Sequence, residues 1–268
     1  MTKTIGIMGC GWLGLPLAKS LLADGYAVYG TTTSPEKLQV LTKAGIHAFH
    51  ISISEQKVSG AIDEFLKPCN VLIINVPPGL RGNRTKTSYI EKMQRLLECV
   101  KESPVKKVIF VSSTSVYGDE QGEVNEETTP IPTTESGKQL LNSEQLFKGQ
   151  THFKSTVLRF GGLIGPDRHP INMLSGKENL KNGDAPVNLI HRNDCIRILK
   201  QIIHEKQWGE TINAVHPEHP TKRVYYTQIA VKKHLPPPRY SVSAHKNYKI
   251  INSCKFFLTN NRDDFTSL

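Results

Sequence analysis

Thr4-Ile5-Gly6-Ile7-Met8-Gly9-Cys10-Gly11-Trp12-Leu13-Gly14 is a short apolar run that feeds a G-x-G-x-x-G sequence and then a helical pattern from Leu15 to Leu22. In a strand, turn and helix of this kind Gly9 permits the tight turn, Gly11 lets the backbone approach a pyrophosphate, and Gly14 allows the helix to pack closely on the strand. Backbone N–H groups at the helix start, around Trp12 and Leu13, then face the phosphates, assisted by the helix dipole. Such glycines alone are a weak signal. Their place at a strand-to-helix junction makes a dinucleotide site the expectation, against a merely glycine-rich turn.

Outward from this motif, strand-like and helical stretches alternate. Ala27 to Thr31 reads as a second strand, and Pro35 to Ala44 as a helix with Ser34 as N-cap and Pro35 at its first position. Further strand-like runs lie at Ile46 to Ile53, Val71 to Val76, Val108 to Ser112 and Thr156 to Phe160, separated by helical patterns that include Ser88 to Lys101 and Gly137 to Phe147. Alternation of this kind predicts an α/β fold with a doubly wound parallel sheet, the Rossmann arrangement. From about Gly165 prolines and glycines break the texture into shorter pieces, which suits a small C-terminal substrate-side lobe. Val187 to His191 and Thr211 to Val215 read as strands there, and Asp194 to His204 and Val224 to His234 as helices. The expected division is a dinucleotide-binding domain over 1–165, its sheet completed by parts of 187–215, and a smaller region over 166–268.

A chain of 268 residues with 38% hydrophobic and 22% charged residues is ordinary for a soluble globular protein. Met1-Thr2-Lys3 runs straight into a strand without a secretory pattern, and no apolar run reaches the roughly 18 residues that span a bilayer. A cytoplasmic protein without a membrane partner is the expectation. The five cysteines are scattered and never in C-x-x-C spacing, and pairs such as His216 with His219 or His47 with His50 lack a nearby acidic third ligand, so no metal is expected. The net charge of +10 comes from Lys and Arg interleaved with acids, without a reader motif for nucleic acid. A basic surface does attract phosphorylated small molecules.

The place where an acidic residue normally accepts the adenosine ribose hydroxyls, about 20 positions beyond the glycines, holds Thr31-Thr32-Thr33-Ser34. No Asp or Glu occurs from Gly25 to Pro35. Repulsion of a ribose 2′-phosphate is therefore absent, and with Lys37 within reach NADP is preferred over NAD. The alternative is that the threonines only terminate the strand. The loop Asn75-Val76-Pro77-Pro78-Gly79 follows the fourth strand and is expected beside the cofactor, with Val76, Pro77 and Pro78 as a rigid wall.

Val108 to Asp119, with Ser112-Ser113-Thr114-Ser115-Val116-Tyr117-Gly118, resembles the fifth strand and following loop of the extended short-chain dehydrogenases/reductases, the family of sugar-nucleotide epimerases and dehydratases. Arg159-Phe160-Gly161-Gly162-Leu163-Ile164-Gly165-Pro166 is similar to that family's strand into a nicotinamide-side loop, and Asn188 to Asp194 to its I-H-x-x-D strand and helix cap. The resemblance implies that Ser112, Gly161 and Gly162 flank the cofactor and that Ser113 orients the substrate hydroxyl. It also implies a Tyr-x-x-x-Lys pair, in which the lysine lowers the tyrosine pKa for proton transfer during hydride transfer. Aligning through Gly137, Lys138 and Glu144 puts Ser136 and Leu140 at those two positions. No Tyr-x-x-x-Lys occurs anywhere in the sequence. The chain thus resembles atypical, tetrad-degraded members of the superfamily, with Tyr117 and Lys138 as candidate substitutes.

Three functions stay open at this point: an epimerase/dehydratase-like oxidoreductase acting on a small-molecule substrate such as a nucleotide sugar, a non-catalytic NADP(H) sensor or scaffold, and a 6-phosphogluconate/3-hydroxyisobutyrate dehydrogenase-like enzyme. The last would require an all-helical C-terminal domain. The family's dimers imply a homodimer through the helices at Ser88 to Lys101 and Gly137 to Phe147.

Overall fold

The computed structural model of the protein describes residues 3–79, 88–242, 248–255 and 265–268. Met1 and Thr2, read above as running directly into the first strand, lie outside them. Seven strands build the main sheet: β1 (Thr4–Met8), β2 (Ala27–Thr32), β3 (His47–His50), β4 (Val71–Ile74), β5 (Lys107–Ser113), β6 (Lys154–Phe160) and β7 (Thr211–Ala214). Their spatial order is β7-β6-β5-β4-β1-β2-β3. Parallel pairing is fixed by registers such as Ile5 with Val28, Ile7 with Ile73, Gly30 with Ala48 and Ile73 with Ile109. At the far edge the bonds Val157 N–H to Glu210 O and Gly161 N–H to Ala214 O advance together along β6 and β7, as parallel strands require. The order reverses between β1 and β4, the point at which doubly wound sheets bind their ligands.

Parallel strands covered on both faces carry continuous apolar runs rather than alternation. All four residues of β4, Val71-Leu72-Ile73-Ile74, are buried, as are Ile5, Ile7 and Met8 of β1. The helices are α1 (Gly14–Ala23), α2 (Leu38–Lys43), α3 (Ile62–Leu66), α4 (Tyr89–Lys101), α5 (Glu135–Lys148), α6 (Ile171–Leu174), α7 (Arg192–His204) and α8 (Lys222–Lys232). Helix α4 shows why its sequence is helical: Ser88 accepts the Glu91 N–H as N-cap, and Tyr89, Met93, Leu96, Leu97 and Val100 fall on one buried stripe.

Several expected elements change in detail. Pro35 to Ala44 begins as a 3-10 turn over Pro35–Lys37 before α2. Ser34 has the extended backbone of an N-cap but no side-chain cap bond. The run Ile46 to Ile53 splits into β3 and Ser52–Ile53, which pairs antiparallel with Val58–Ser59.

The described residues form two compact units. The first comprises Met1–Ser113, Thr134–Arg159 and Ile196–Thr211, hence β1 to β5, nearly all of β6, α1 to α5 and most of α7. The second comprises Thr114–Thr133, Phe160–Cys195 and Ile212–Leu268. The second unit is not all-helical: it contains Gly162–Ile164 paired parallel with Leu189–His191, and Ile250–Ile251 paired with Glu123–Val124. That arrangement removes the 6-phosphogluconate/3-hydroxyisobutyrate dehydrogenase alternative, whose C-terminal domain would be helical throughout. Among the described residues no helix is long and apolar enough to cross a membrane. Nor, among them, do three or more His, Cys, Asp or Glu side chains converge as a metal site.

Candidate functional site

Within the first unit a cavity of about 270 Å³ opens at the carboxyl ends of β1, β2 and β4. Gly9 and Gly11 line it from the β1 turn, Thr31, Thr32, Thr33, Ser34 and Lys37 from the end of β2, and Val76 and Pro77 from the loop after β4. The three glycines differ in what they supply. Gly9 has φ +102°, and a Cβ there would meet the Asn75 carbonyl oxygen at 2.6 Å. At Gly14 a Cβ would run into the Gly9 carbonyl, so this glycine lets the start of α1 pack on the turn. A Cβ on Gly11 would meet nothing within 4 Å, so its absence leaves open space above the turn. No side chain caps α1, whose N-cap is Leu13. Together these leave a tight turn and the uncapped start of a ten-residue helix, where backbone N–H groups and the helix dipole would favour an anion.

The threonines divide by role. Thr31 Oγ1 accepts the Gly9 N–H at 2.9 Å and donates to Met8 Sδ, while its carbonyl accepts the Cys10 N–H at 2.8 Å. Thr32 Oγ1 accepts the Ser34 N–H at 3.1 Å, shaping the bend into the 3-10 turn. Both hydroxyls therefore brace the end of β2 and the glycine turn. Thr33 is exposed, as is Lys37 two residues beyond Pro35. Among the described lining residues none is acidic and two are lysines, Lys37 and Lys92.

The cavity also takes in residues that the sequence did not single out. Asn75 Nδ2 donates to the Gly9 carbonyl at 3.0 Å, tying the end of β4 to the turn. Ile51 and Ile53 supply an apolar wall, and Lys92 enters from the first turns of α4. Asn75 was legible as part of the loop after β4; Lys92 carries no local signal. Cys10 also lines the cavity, but burial pushes its thiol up to about 12, so it is no nucleophile at neutral pH. Tyr89 is buried and donates its hydroxyl to the Val76 carbonyl at 2.9 Å. It buttresses the Val76–Pro77 wall.

Trp12 is half-buried and Leu13 buried at the start of α1; neither lines the cavity, and neither does Pro78. Ser112 lies outside the cavity as well. It is buried, and its hydroxyl donates to Glu144 Oε1 at 2.5 Å. Glu144 in turn takes a bidentate grip from Arg159, with Nη2 to Oε2 at 2.6 Å and Nε to Oε1 at 3.0 Å. Ser112 therefore completes a buried cluster joining β5, α5 and β6. Ser113 ends β5 and is half-buried. In the second unit Gly161 and Gly162 admit close approach of the backbone, since a Cβ on Gly161 would meet the Asn188 carbonyl oxygen at 2.8 Å.

The positions aligned with the missing acid/base pair are equally plain. Ser136 is half-buried in the first turn of α5, Leu140 is 3% exposed in its apolar stripe, and Lys138 points outward as an exposed residue. Tyr117, in the second unit, is 1% exposed, and its hydroxyl donates to the Asn125 carbonyl at 2.7 Å with Asn213 Oδ1 at 3.2 Å. Its single phenolic proton is committed to the backbone of its own unit, a structural role.

The family model described as NAD dependent epimerase/dehydratase family matches residues 5–214. Protein YeeZ of Escherichia coli strain K12 is 34% identical over 239 residues, covering 89% of this chain and 86% of that protein. Among solved structures, UDP-glucuronic acid 4-epimerase from Bacillus cereus in complex with UDP-glucuronic acid and NAD is similar with a TM-score of 0.75 at 20% identity, covering 96% of this chain and 91% of that one. MoeE5 in complex with UDP-glucose and NAD is similar with a TM-score of 0.74 at 21% identity, covering 94% and 90%. At these identities the structural likeness speaks for the fold.

Proposed function

This chain belongs to the NAD dependent epimerase/dehydratase family, and from that premise we propose that it is an NADP(H)-using oxidoreductase that moves hydride at a hydroxyl or carbonyl carbon of a nucleotide sugar. The observation that carries the reading is the open space over Gly11 at an uncapped helix start, inside a cavity whose described lining holds Lys37 at the end of β2 and no carboxylate. A pyrophosphate fits the backbone N–H groups there. Lys37, Thr33 and Lys92, which line the same cavity, would hold the ribose 2′-phosphate, and Val76 and Pro77 would wall the cofactor. The nicotinamide ring, when bound, supplies or accepts the hydride.

Ser113 orients the reacting hydroxyl by hydrogen bonding. Leu140 places a methyl-tipped side chain where the family resemblance implies an ammonium, and Ser136 a hydroxyl far less acidic than a phenol. The proton accompanying hydride transfer therefore goes to water or a substrate group when a hydroxyl is oxidised, and comes from one of them when a carbonyl is reduced. We assign substrate recognition to the second unit, whose family neighbours carry UDP-sugars in their structures. A homodimer through α4 and α5 is part of the same proposal, and sedimentation measures it.

The buried Leu140 favours a second reading, an NADP(H) sensor or scaffold without turnover. Fluorescence titration with NADPH and NADH, followed by incubation with UDP-sugars and carbonyl compounds, separates the two. Tighter binding of NADPH with conversion of a UDP-sugar supports the enzyme; tight binding without conversion supports the sensor; absence of binding removes both.

A further inference from the structure

Glu55 does not line the dinucleotide cavity, yet it joins two of the elements that do. Ser52–Ile53 and Val58–Ser59 pair as an antiparallel hairpin, closed by a turn in which Ser54 Oγ donates to the Lys57 carbonyl at 2.9 Å and accepts the Lys57 N–H at 3.0 Å. Glu55 stands in that turn, where a long carboxylate side chain ordinarily extends into water. Here it is half-buried, and its Oε1 accepts the Ser88 N–H at the start of α4. Its backbone carbonyl accepts Arg95 Nε–H at 3.3 Å, from farther along the same helix. Strand Ser52–Ile53 packs beside α4.

Both ends of this tie carry cavity wall. Ile51 and Ile53 line the cavity from the hairpin side, and Lys92 lines it from α4. Tyr89, the neighbour of Ser88, gives its hydroxyl to the carbonyl of Val76, another lining residue. Adjacent residues at one helix start thus hold the isoleucine wall through Glu55 and the Val76 wall through a phenol. That start is itself anchored, because Gln139 Oε1 of α5 accepts the Tyr89 N–H at 2.6 Å. The hairpin is a two-stranded sheet separate from the seven-stranded one, so no ladder of backbone bonds sets its distance from α4. The carboxylate does so instead, at the positive end of a 13-residue helix that strengthens a charge-assisted contact.

We propose that Glu55 is a positioning residue for the dinucleotide: by clasping the hairpin to the start of α4 it holds Ile51 and Ile53 at the distance from Lys92 and Val76 that the ligand requires. This role rests on the cavity being a dinucleotide site. Charge alone points the other way, since removing a carboxylate so near Ile53 would favour an anionic ligand. A lost clasp weakens binding, so the sign of the change separates the two effects.

NADPH is titrated into the full chain by fluorescence, in the parent and in Glu55→Ala, Glu55→Asp and Glu55→Gln, each well below its own melting temperature. Alanine deletes the acceptor, aspartate keeps the charge but shortens the reach, and glutamine drops the charge but keeps an oxygen at full reach. The expected result is binding about tenfold weaker in Glu55→Ala and Glu55→Asp, and affinity restored to within about twofold of the parent in Glu55→Gln. Amide hydrogen exchange without nucleotide should quicken over residues 52–59 and at Ser88 in Glu55→Ala and Glu55→Asp, with residues 9–14 unchanged. Undiminished binding by Glu55→Ala or Glu55→Asp, a loss in Glu55→Gln as large as in Glu55→Ala, or unchanged hairpin exchange each overturns the proposal while the dinucleotide site stands. A parent protein that binds no NADPH overturns both.

Discussion

Gly9 and Gly11 belong to one motif yet predict opposite outcomes when given a methyl group. Gly9→Ala forces a side chain into φ +102° and against the Asn75 carbonyl, and is expected to destabilise the protein by about 1–3 kcal/mol, read as a lowered melting temperature. Gly11→Ala meets open space, so its stability should stay within about 0.5 kcal/mol of the parent while dinucleotide affinity falls at least about tenfold in a fluorescence titration. A second residue-scale prediction concerns the buried cluster of Ser112, Glu144 and Arg159. Arg159→Met leaves the Glu144 carboxylate buried without its cation, and urea unfolding should register a loss of about 3–5 kcal/mol. The motif's glycines could be read from spacing alone because each answers a local steric demand. The engagement of Thr31 and Ser112 with their neighbours could not, since the partners, Gly9 and Met8 for Thr31 and Glu144 for Ser112, come from distant parts of the chain.

Elements with a strong local signature are the ones the sequence makes legible. Buried apolar runs mark β1 and β4, and Ser88 caps α4 where its helical pattern begins, whereas α5 and α8, capped by Thr134 and Thr221, start two residues before the Gly137 and Val224 that open their patterns in the sequence. Removing such a cap tests whether local chemistry sets the boundary: Ser88→Ala is expected to cost about 1 kcal/mol of stability in denaturant titration, with dinucleotide binding retained. Helix α3 escaped notice because five residues without a side-chain cap give too short a period to read. The run from Ile46 to Ile53 looks like one strand, but the Ile51 N–H bonds to the Thr32 carbonyl and the chain then turns into the Ser52–Ile53 and Val58–Ser59 hairpin. The convergence of Ile51, Ile53, Asn75 and Lys92 on the cavity follows from strand order, which brings the ends of β3 and β4 and the start of α4 to one edge. No window of sequence contains it.

Among the described residues, the histidines held below their ordinary value, His169, His191, His216 and His219, all fall in the second unit. Burial, reinforced by Lys233, lowers His169 from 6.5 to about 4. Burial likewise lowers His191, His216 and His219. His169 accepts the Ile171 N–H on Nδ1, so its other nitrogen, 3.0 Å from the Tyr225 hydroxyl, carries the proton of a neutral ring. An unfolded chain takes up a proton on His169 below 6.5 while the folded unit resists until about 4, so stability falls as the pH drops through that window, and the lowered His191, His216 and His219 act in the same direction. Urea midpoints should decline on acidification from neutral pH, and His169→Gln should flatten the decline.

The account rests on the first unit's cavity being the seat of a pyridine dinucleotide with a 2′-phosphate. Calorimetric titration of the full chain with NADPH and, in parallel, NADH tests this most directly, with Lys37→Glu as the paired variant. Saturable heat with NADPH, weaker heat with NADH, and a narrowing or inversion of that difference in Lys37→Glu are the predicted results. No heat with either nucleotide, or NADH binding as tightly as NADPH in the parent protein, contradicts it.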